Sequence, residues 1–362
     1  MNHSYEKYMK KCLSLARRGE GFVSPNPLVG AVVLDKNGNI AGLGWHKKCG
    51  EAHAEVNAIA DAKNKGINIK GGTIFVNLEP CSHYGKTPPC ADLIIKEGLK
   101  KVVAGTIDPN PRVDGGGIKK LQKAGIDVVT GVLEQECKKI NEVFFKNQTE
   151  KLPFVAIKTA TTMDGKTATK TGSSKWITSQ NARAQVQKLR NKYDAILTGS
   201  GTVLADNPSL TCRKRGGRNP VRIIVDSNLK TPVDSMVYQN DGTKIYIAAL
   251  KTAKTKDYGT NAEIIFCPEK SGKIDLPFLL KELYKKGICS ILVEAGGILN
   301  GVFLKQKLVD KIYHFIAPKI LGDNEAKCFV EGFSAINIDD STQLKIESVK
   351  KFNPDILIEA YL

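Results

Sequence analysis

Two short segments, His53-Ala54-Glu55 and Pro80-Cys81 with Cys90 downstream, constrain this chain more than any other feature of its sequence. One imidazole and two thiolates make a ligand set for Zn²⁺, and three protein ligands leave a fourth tetrahedral position to water, the count of a catalytic ion. Glu55 stands two residues past His53, where a carboxylate can take a proton from water and pass it to a leaving amine. The fold must therefore bring a helix start and two distant cysteines together. A closed zinc staple using Cys49 or His83 as fourth ligand is the competing reading, but it gives Glu55 no task.

Eight residues separate Cys81 from Cys90, whereas the widespread zinc nucleobase-deaminase signature has two. The insert carries His83 and Lys86 and ends in Pro88-Pro89, which stiffens the approach to Cys90. A longer loop bearing a base and an ammonium suggests extra substrate contacts. HAE followed by PC-x8-C in an N-terminal domain resembles the pyrimidine deaminase of riboflavin biosynthesis, which implies a cytidine-deaminase-like three-layer α/β/α domain.

The 362 residues suit two domains, each with its own core. No apolar run approaches the 18 or more residues of a membrane helix, and Met1 to Gly19 lacks a signal-peptide core, so the expected compartment is the cytosol. Nine cysteines without framework spacing fit reduced thiols, two of them recruited by metal. The net charge of +17 invites a nucleic-acid reading, but the lysines are spread along the chain without an aromatic stacking platform. A solvated basic surface, part of it serving phosphorylated small molecules, accounts for the charge.

Apolar periodicity predicts a helix over residues 5–17, a hairpin from Val29–Leu34 and Ile40–Trp45, and a helix opened by His53 that sets Glu55 in its first turn. Strands at Thr73–Leu78, Lys101–Gly105 and Asp127–Thr130 alternate with helices at Cys90–Glu97 and Gly117–Ala124. Asp108 and Asn110, just past the second of these strands, are expected to face the same crevice as the metal. One helix, Glu134–Thr149, leads out of the domain, which is placed at residues 1–149, with the second at 150–362. There, strands are expected at Phe154–Thr159, Ala195–Thr198, Val221–Asp226, Lys244–Ala248, Glu263–Phe266 and Ser290–Val293, with helices at Asn181–Arg190 and Leu276–Lys286. No G-x-G-x-x-G fingerprint is present.

The second half offers glycine-bearing turns in ordered succession: Thr162 to Lys166, Gly172 to Thr178, Gly199 to Pro208 and Glu294 to Asn300. Their order resembles the reductase half of the same bifunctional riboflavin-biosynthesis family, which implies a dihydrofolate-reductase-like α/β domain using NADPH. In that family the first domain hydrolyses a ring amine of a diaminopyrimidinone joined to ribose 5-phosphate, and the second reduces the ribose to a ribityl chain.

The resemblance implies that Asn26, His46, His83, Lys86, Asp108 and Asn110 surround substrate in the deaminase, with Glu55 catalytic and His53, Cys81 and Cys90 on the metal. In the reductase it places Ser174, Arg190, Leu210, Arg213 and Glu294 on substrate, with the arginines suited to phosphate. Ala160, Trp176, Thr178, Thr202, Asp206, Ser227, Gly296, Gly297, Ile298, Leu299, Asn300, Gly301 and Val302 fall on cofactor contacts. Asp206 is also the polar group expected at the reacting carbon, and the Gly296-Gly297 pair is expected to let backbone approach a pyrophosphate. The partner is thus a phosphorylated pyrimidine, with neither nucleic acid nor membrane; a homo-oligomer is compatible with the sequence. An RNA-modifying zinc deaminase with a basic accessory domain and a non-enzymatic zinc scaffold are the readings from other classes, separable by NADPH binding and by a steep salt dependence of RNA affinity.

Overall fold

A computed structural model describes residues 3–82, 88–110, 115–332 and 334–362. The chain divides into two compact units, Met1–Lys151 and Leu152–Leu362. Among the described residues no helix is long and apolar enough to cross a membrane.

The first unit is built on five strands: β1 (Gly30–Leu34), β2 (Ile40–Trp45), β3 (Thr73–Val76), β4 (Lys101–Ala104) and β5 (Asp127–Thr130), in the order β2-β1-β3-β4-β5. β1 runs antiparallel to both β2 and β3, while β3, β4 and β5 are parallel. Among the described residues of this unit the α-helices are α1 (His3–Ala16), α2 (Ala54–Asn64), α3 (Cys90–Lys96), α4 (Gly116–Lys123), α5 (Glu134–Ile140) and α6 (Glu142–Glu150), the first five of which pack on the sheet. Because successive strand residues point to opposite faces, Ala31, Val33, Ile74 and Val102 pack with Ala58, Ile94 and Leu121. Val32, Leu34, Phe75 and Val103 pack on the other face with Met9, Cys12 and Cys137. These are the three α/β/α layers that the sequence led us to expect.

One close approach fixes the metal-bearing helix. α2 presents Ala54, Ala58 and Ala62 to β2, where a Cβ on Gly42 would stand 2.0 Å from the Ala58 carbonyl oxygen and one on Gly44 2.3 Å from that of Ala54. Only bare glycine backbone lets the helix lie this near. Its first turn, with His53 at the cap and Glu55 behind, is thereby held against the sheet.

The exit helix differs from expectation. It breaks at Asn141, which separates α5 from α6. The Asn141 side chain is buried and bonds both backbone groups of Leu28, accepting from N at 2.7 Å and donating to O at 3.0 Å. A buried amide serving a distant loop outweighs helix continuity there.

In the second unit the chain runs through β6 (Phe154–Thr162), β7 (Lys166–Ala168), α7 (Gln180–Lys192), β8 (Ala195–Gly199), α8 (Ser200–Asp206), β9 (Val221–Val225), β10 (Ile245–Leu250) and β11 (Ala262–Cys267). A small hairpin, β12 (Glu269–Lys270) and β13 (Lys273–Ile274), precedes α9 (Leu276–Lys285), β14 (Ser290–Val293), α10 (Gly297–Lys305), β15 (Lys311–Ala317) and β16 (Lys327–Cys328). β17 (Lys345–Phe352) and β18 (Asp355–Tyr361) end the chain. Nine strands form one sheet in the order β11-β10-β9-β8-β14-β6-β15-β18-β17. β11 through β15 are parallel, and β18 and β17 add an antiparallel edge. The six expected strands of this half are present; β15, β17 and β18 of the large sheet, and the short β7, β12, β13 and β16, were not foreseen. Since β9, β8, β14 and β6 are parallel neighbours, the residues that follow them converge along one edge, where open α/β sheets bind ligands.

Adding a single methyl at the α2 contact tests that packing. Gly44→Ala is expected to cost about 1–3 kcal/mol, the usual penalty of overpacking. Denaturant unfolding followed at Trp45 in a Trp176→Phe background, which leaves one indole, should show a lowered midpoint. An unchanged midpoint would mean the helix can move away freely.

Candidate functional site

β3 ends beside β4, and Cys81 follows it, while Cys90 opens α3 and His53 caps α2. The ligand atoms of His53, Cys81 and Cys90 all lie within 4.8 Å of one another. His53 Nδ1 is 3.3 Å from Cys90 Sγ and 3.7 Å from Cys81 Sγ. A tetrahedral ion with ordinary Zn–N and Zn–S bonds requires edges of about 3.5 Å. The donor set and its spacing therefore fit zinc.

Electrostatics point the same way. Cys81 is held as a thiolate, its pKa lowered to about 4 chiefly because the Cys90 thiol donates to it, with His53 helping. The Cys90 thiol is pushed up by that same bond and by burial. Glu55 is almost fully buried; burial first, then the Cys81 charge, raises its carboxyl to about 6. Contact with Cys81 raises the His53 pKa against the effect of burial.

His46 is buried with its ring edge-on to His53, 5.6 Å between centroids. Its Nδ1 lies 3.1 Å from the Ala52 carbonyl and its Nε2 3.1 Å from the amide nitrogen of Asn26. A carbonyl only accepts and an amide nitrogen only donates, so the ring is neutral with its proton on Nδ1. Burial lowers its pKa accordingly. Both nitrogens are thus committed, and Asn26 keeps its oxygen as an acceptor. Asn57, which the sequence did not single out, donates to the Trp45 and Ala52 carbonyls and fixes the loop before His53.

Asp108 is buried and Asn110 half-buried, in the segment after β4; the backbone N–H of Asn110 donates to the Asp108 carboxylate at 2.8 Å. His83 and Lys86 lie outside the described residues.

In the second unit Glu294 follows β14 and lies between two cations. Arg190 grips it with two parallel bonds, Nε at 2.8 Å and Nη2 at 3.1 Å, and Lys158 Nζ approaches at 3.2 Å. Burial would raise the Glu294 carboxyl, but these charges outweigh it and hold the group at about 2. Arg190 also donates to the Thr211 carbonyl, next to Leu210, which is buried with φ of +52°. Lys158 was not anticipated; a lysine in an apolar strand was the available signal. Arg213 is exposed, and Ser174 is half-buried.

Thr202 and Asp206 lie four residues apart on α8, hence on one face, with Asp206 exposed at its last position. Ala160 is on β6, Ser227 follows β9, and Thr178 accepts from Arg183 at 2.7 Å. Trp176 is exposed, with the Arg183 guanidinium 4.3 Å from its ring centre. The glycines beside α10 divide in role. Gly296, at the cap, has open space where a Cβ would go, as does Gly201 in α8. By contrast, a Cβ on Gly297 would be 2.5 Å from the Cys328 carbonyl oxygen and one on Gly301 1.8 Å from that of Glu331. Gly297 and Gly301 are therefore demanded by packing, and Asn300 is buried with its amide on the Ala295 and Phe329 carbonyls. Ile298 is exposed, Leu299 reaches toward Gly199, and Val302 packs on the core. The open backbone at Gly296 and Gly201, at helix starts beside the neighbouring strands β14 and β8, suits a phosphorylated dinucleotide such as NADPH.

Comparisons with known proteins cover both units. Residues 2–106 match the family described as the cytidine and deoxycytidylate deaminase zinc-binding region, and residues 153–358 match the RibD C-terminal domain. The chain is 44% identical to the riboflavin biosynthesis protein RibD of Bacillus amyloliquefaciens, over 98% of this chain and 95% of that one. It is 42% identical to the Actinobacillus pleuropneumoniae protein of the same name, over 97% and 94%. A diaminohydroxyphosphoribosylaminopyrimidine deaminase/5-amino-6-(5-phosphoribosylamino)uracil reductase from Thermotoga maritima superposes with a TM-score of 0.90 at 40% identity, covering 99% of each chain.

The buried Glu294 cluster makes stability depend on pH. Its carboxyl falls from the usual 4.5 to about 2, so the folded state binds fewer protons than the unfolded one. The stabilisation is present above about pH 4.5 and is lost as pH falls through about 2. Glu294→Gln should destabilise the chain by about 3 kcal/mol at pH 7, because Arg190 and Lys158 lose their counter-charge. In denaturant titrations the gap from the wild type should narrow at pH 3. A gap of equal size at both pH values would show that the carboxylate charge is not what Arg190 responds to.

Proposed function

The chain belongs to the bifunctional deaminase/reductase family of riboflavin biosynthesis, and from that premise we propose how its own residues divide the work. It is a zinc-dependent pyrimidine deaminase joined to an NADPH-dependent reductase. The substrate is a small phosphorylated pyrimidine. We assign deamination to residues 1–149 and reduction to residues 150–362, and place the protein in the cytosol. The observation that carries the reading is the His53, Cys81, Cys90 cluster with buried Glu55 beside it.

When bound, zinc supplies the Lewis acidity that makes a water nucleophilic at neutral pH. His53, Cys81 and Cys90 would hold it. Glu55, buried beside the metal ligands, would take a proton from the attacking water and return it to the departing ring amine. Asn26 turns its oxygen to a ring amine or N–H, and His46 acts through Asn26, which it orients. Asp108 and Asn110 line the same crevice, with His83 and Lys86 assigned to it from the sequence.

NADPH supplies the hydride for the second reaction. The first turn of α10, open at Gly296, receives the pyrophosphate, with Ala160, Trp176, Thr178, Thr202 and Ser227 along the cofactor. Asp206 faces the reacting carbon from the same side of α8 as Thr202. Arg213, exposed, meets the substrate phosphate, whereas Arg190 holds Glu294 in place toward the pyrimidine, near Ser174 and Leu210.

Two substitutions separate the chemistries. Glu55→Gln should retain about one zinc per chain by elemental analysis yet lose deamination by about 10² to 10⁴. Asp206→Asn should slow reduction while deamination continues and its product accumulates. Full deaminase activity in Glu55→Gln, or equal loss of both activities in Asp206→Asn, would overturn these assignments.

A further inference from the structure

Glu79 lies two residues before Cys81, is 4 % exposed, and has no part in the chemistry described above. Its carboxylate accepts four backbone N–H groups. Oε2 takes Asp108 at 3.2 Å and Gly115 at 3.1 Å; Oε1 takes Gly117 at 2.9 Å and Ile118 at 3.2 Å. Its own backbone N–H donates to the Thr106 carbonyl at 2.9 Å. One buried side chain thus ties Asp108, beyond β4, and the first turn of α4 to the strand end that delivers a metal ligand. The contact is tight as well as polar: a Cβ on Gly117 would fall 1.9 Å from the Pro80 carbonyl oxygen.

We propose that Glu79 is a positioning residue for deamination, setting Asp108 and the start of α4 at a fixed distance from Cys81 so that substrate meets Asp108 and the metal site together. The inference rests on the reading of Asp108 as a substrate contact. A carboxylate offers about four acceptor sites and so satisfies four donors at once. Glutamine offers one oxygen and turns an NH₂ toward the remaining N–H groups. Asp108 and the start of α4 would be released from Cys81 while His53, Cys81, Cys90 and Glu55 remain in place.

The test uses the full-length zinc-loaded chain and compares Glu79→Gln, Asp108→Asn and the wild type. Four measurements are made: zinc content, reductase rate on the deaminated intermediate, deaminase KM and kcat, and amide hydrogen exchange. Glu79→Gln should keep its zinc and its reductase rate, raise the deaminase KM about ten-fold with a smaller change in kcat, and speed exchange at Asp108, Gly115, Gly117 and Ile118. A purely structural role would instead reduce the active fraction, lowering kcat at unchanged KM or releasing zinc, and either result overturns the proposal. So does a wild-type KM alongside accelerated exchange. Should Asp108→Asn leave KM unaltered while Glu79→Gln raises it, the reading of Asp108 as a substrate contact fails and the proposal falls with it; a raised KM in Asp108→Asn beside a wild-type KM in Glu79→Gln overturns the proposal alone.

Discussion

Three acids, Cys81, Cys90 and Glu55, crowd around one imidazole in the first unit, and there are too few positive charges among them for all three to ionise. Contact with Cys81 and burial raise the Cys90 thiol, and burial raises the Glu55 carboxyl with it, which expresses that shortage. A divalent cation held by Cys81, Cys90 and His53 would remove it. Much of the surrounding architecture serves to keep these groups close: bare glycine backbone on β2 draws α2 inward, and parallel pairing of β3 with β4 sets Cys81 beside the Asp108 segment. The neutral His46 adds no charge to the cluster while holding Asn26 in a defined orientation.

The second unit solves a reversed problem. There one buried carboxylate, Glu294, sits between Arg190 and Lys158, so the positive charge is in excess. Such a cluster leaves a net cationic environment next to the carboxyl ends of β8 and β14. Such an environment favours anionic ligands. The basic composition of the chain is consistent with small anionic ligands and needs no nucleic acid to account for it.

How much of this was legible depended on locality. His53, Glu55, Cys81 and Cys90 were readable because ligand chemistry restricts residue type and spacing, and α2 and β3 because their apolar periodicity is regular. Glu79 was missed: its partners are backbone N–H groups, which leave no trace in side-chain pattern. The break at Asn141 escaped for the same reason, since its partner Leu28 is remote in sequence. β17 was not foreseen because it is an edge strand with little buried surface and several lysines, so alternation is weak. At α10 the Gly296-Gly297 pair reads as one motif in sequence, yet only Gly296 opens onto free space; Gly297 answers to the Cys328 backbone passing beside it.

The most direct measurement is product identification from one incubation of the intact zinc-loaded chain with the phosphorylated diaminopyrimidinone, with and without NADPH. Without NADPH, ammonia and the deaminated ribosyl compound should accumulate; with it, the deaminated ribityl compound should form as NADPH is oxidised. Release of no ammonia, or NADPH oxidation without a ribityl product, would contradict the account.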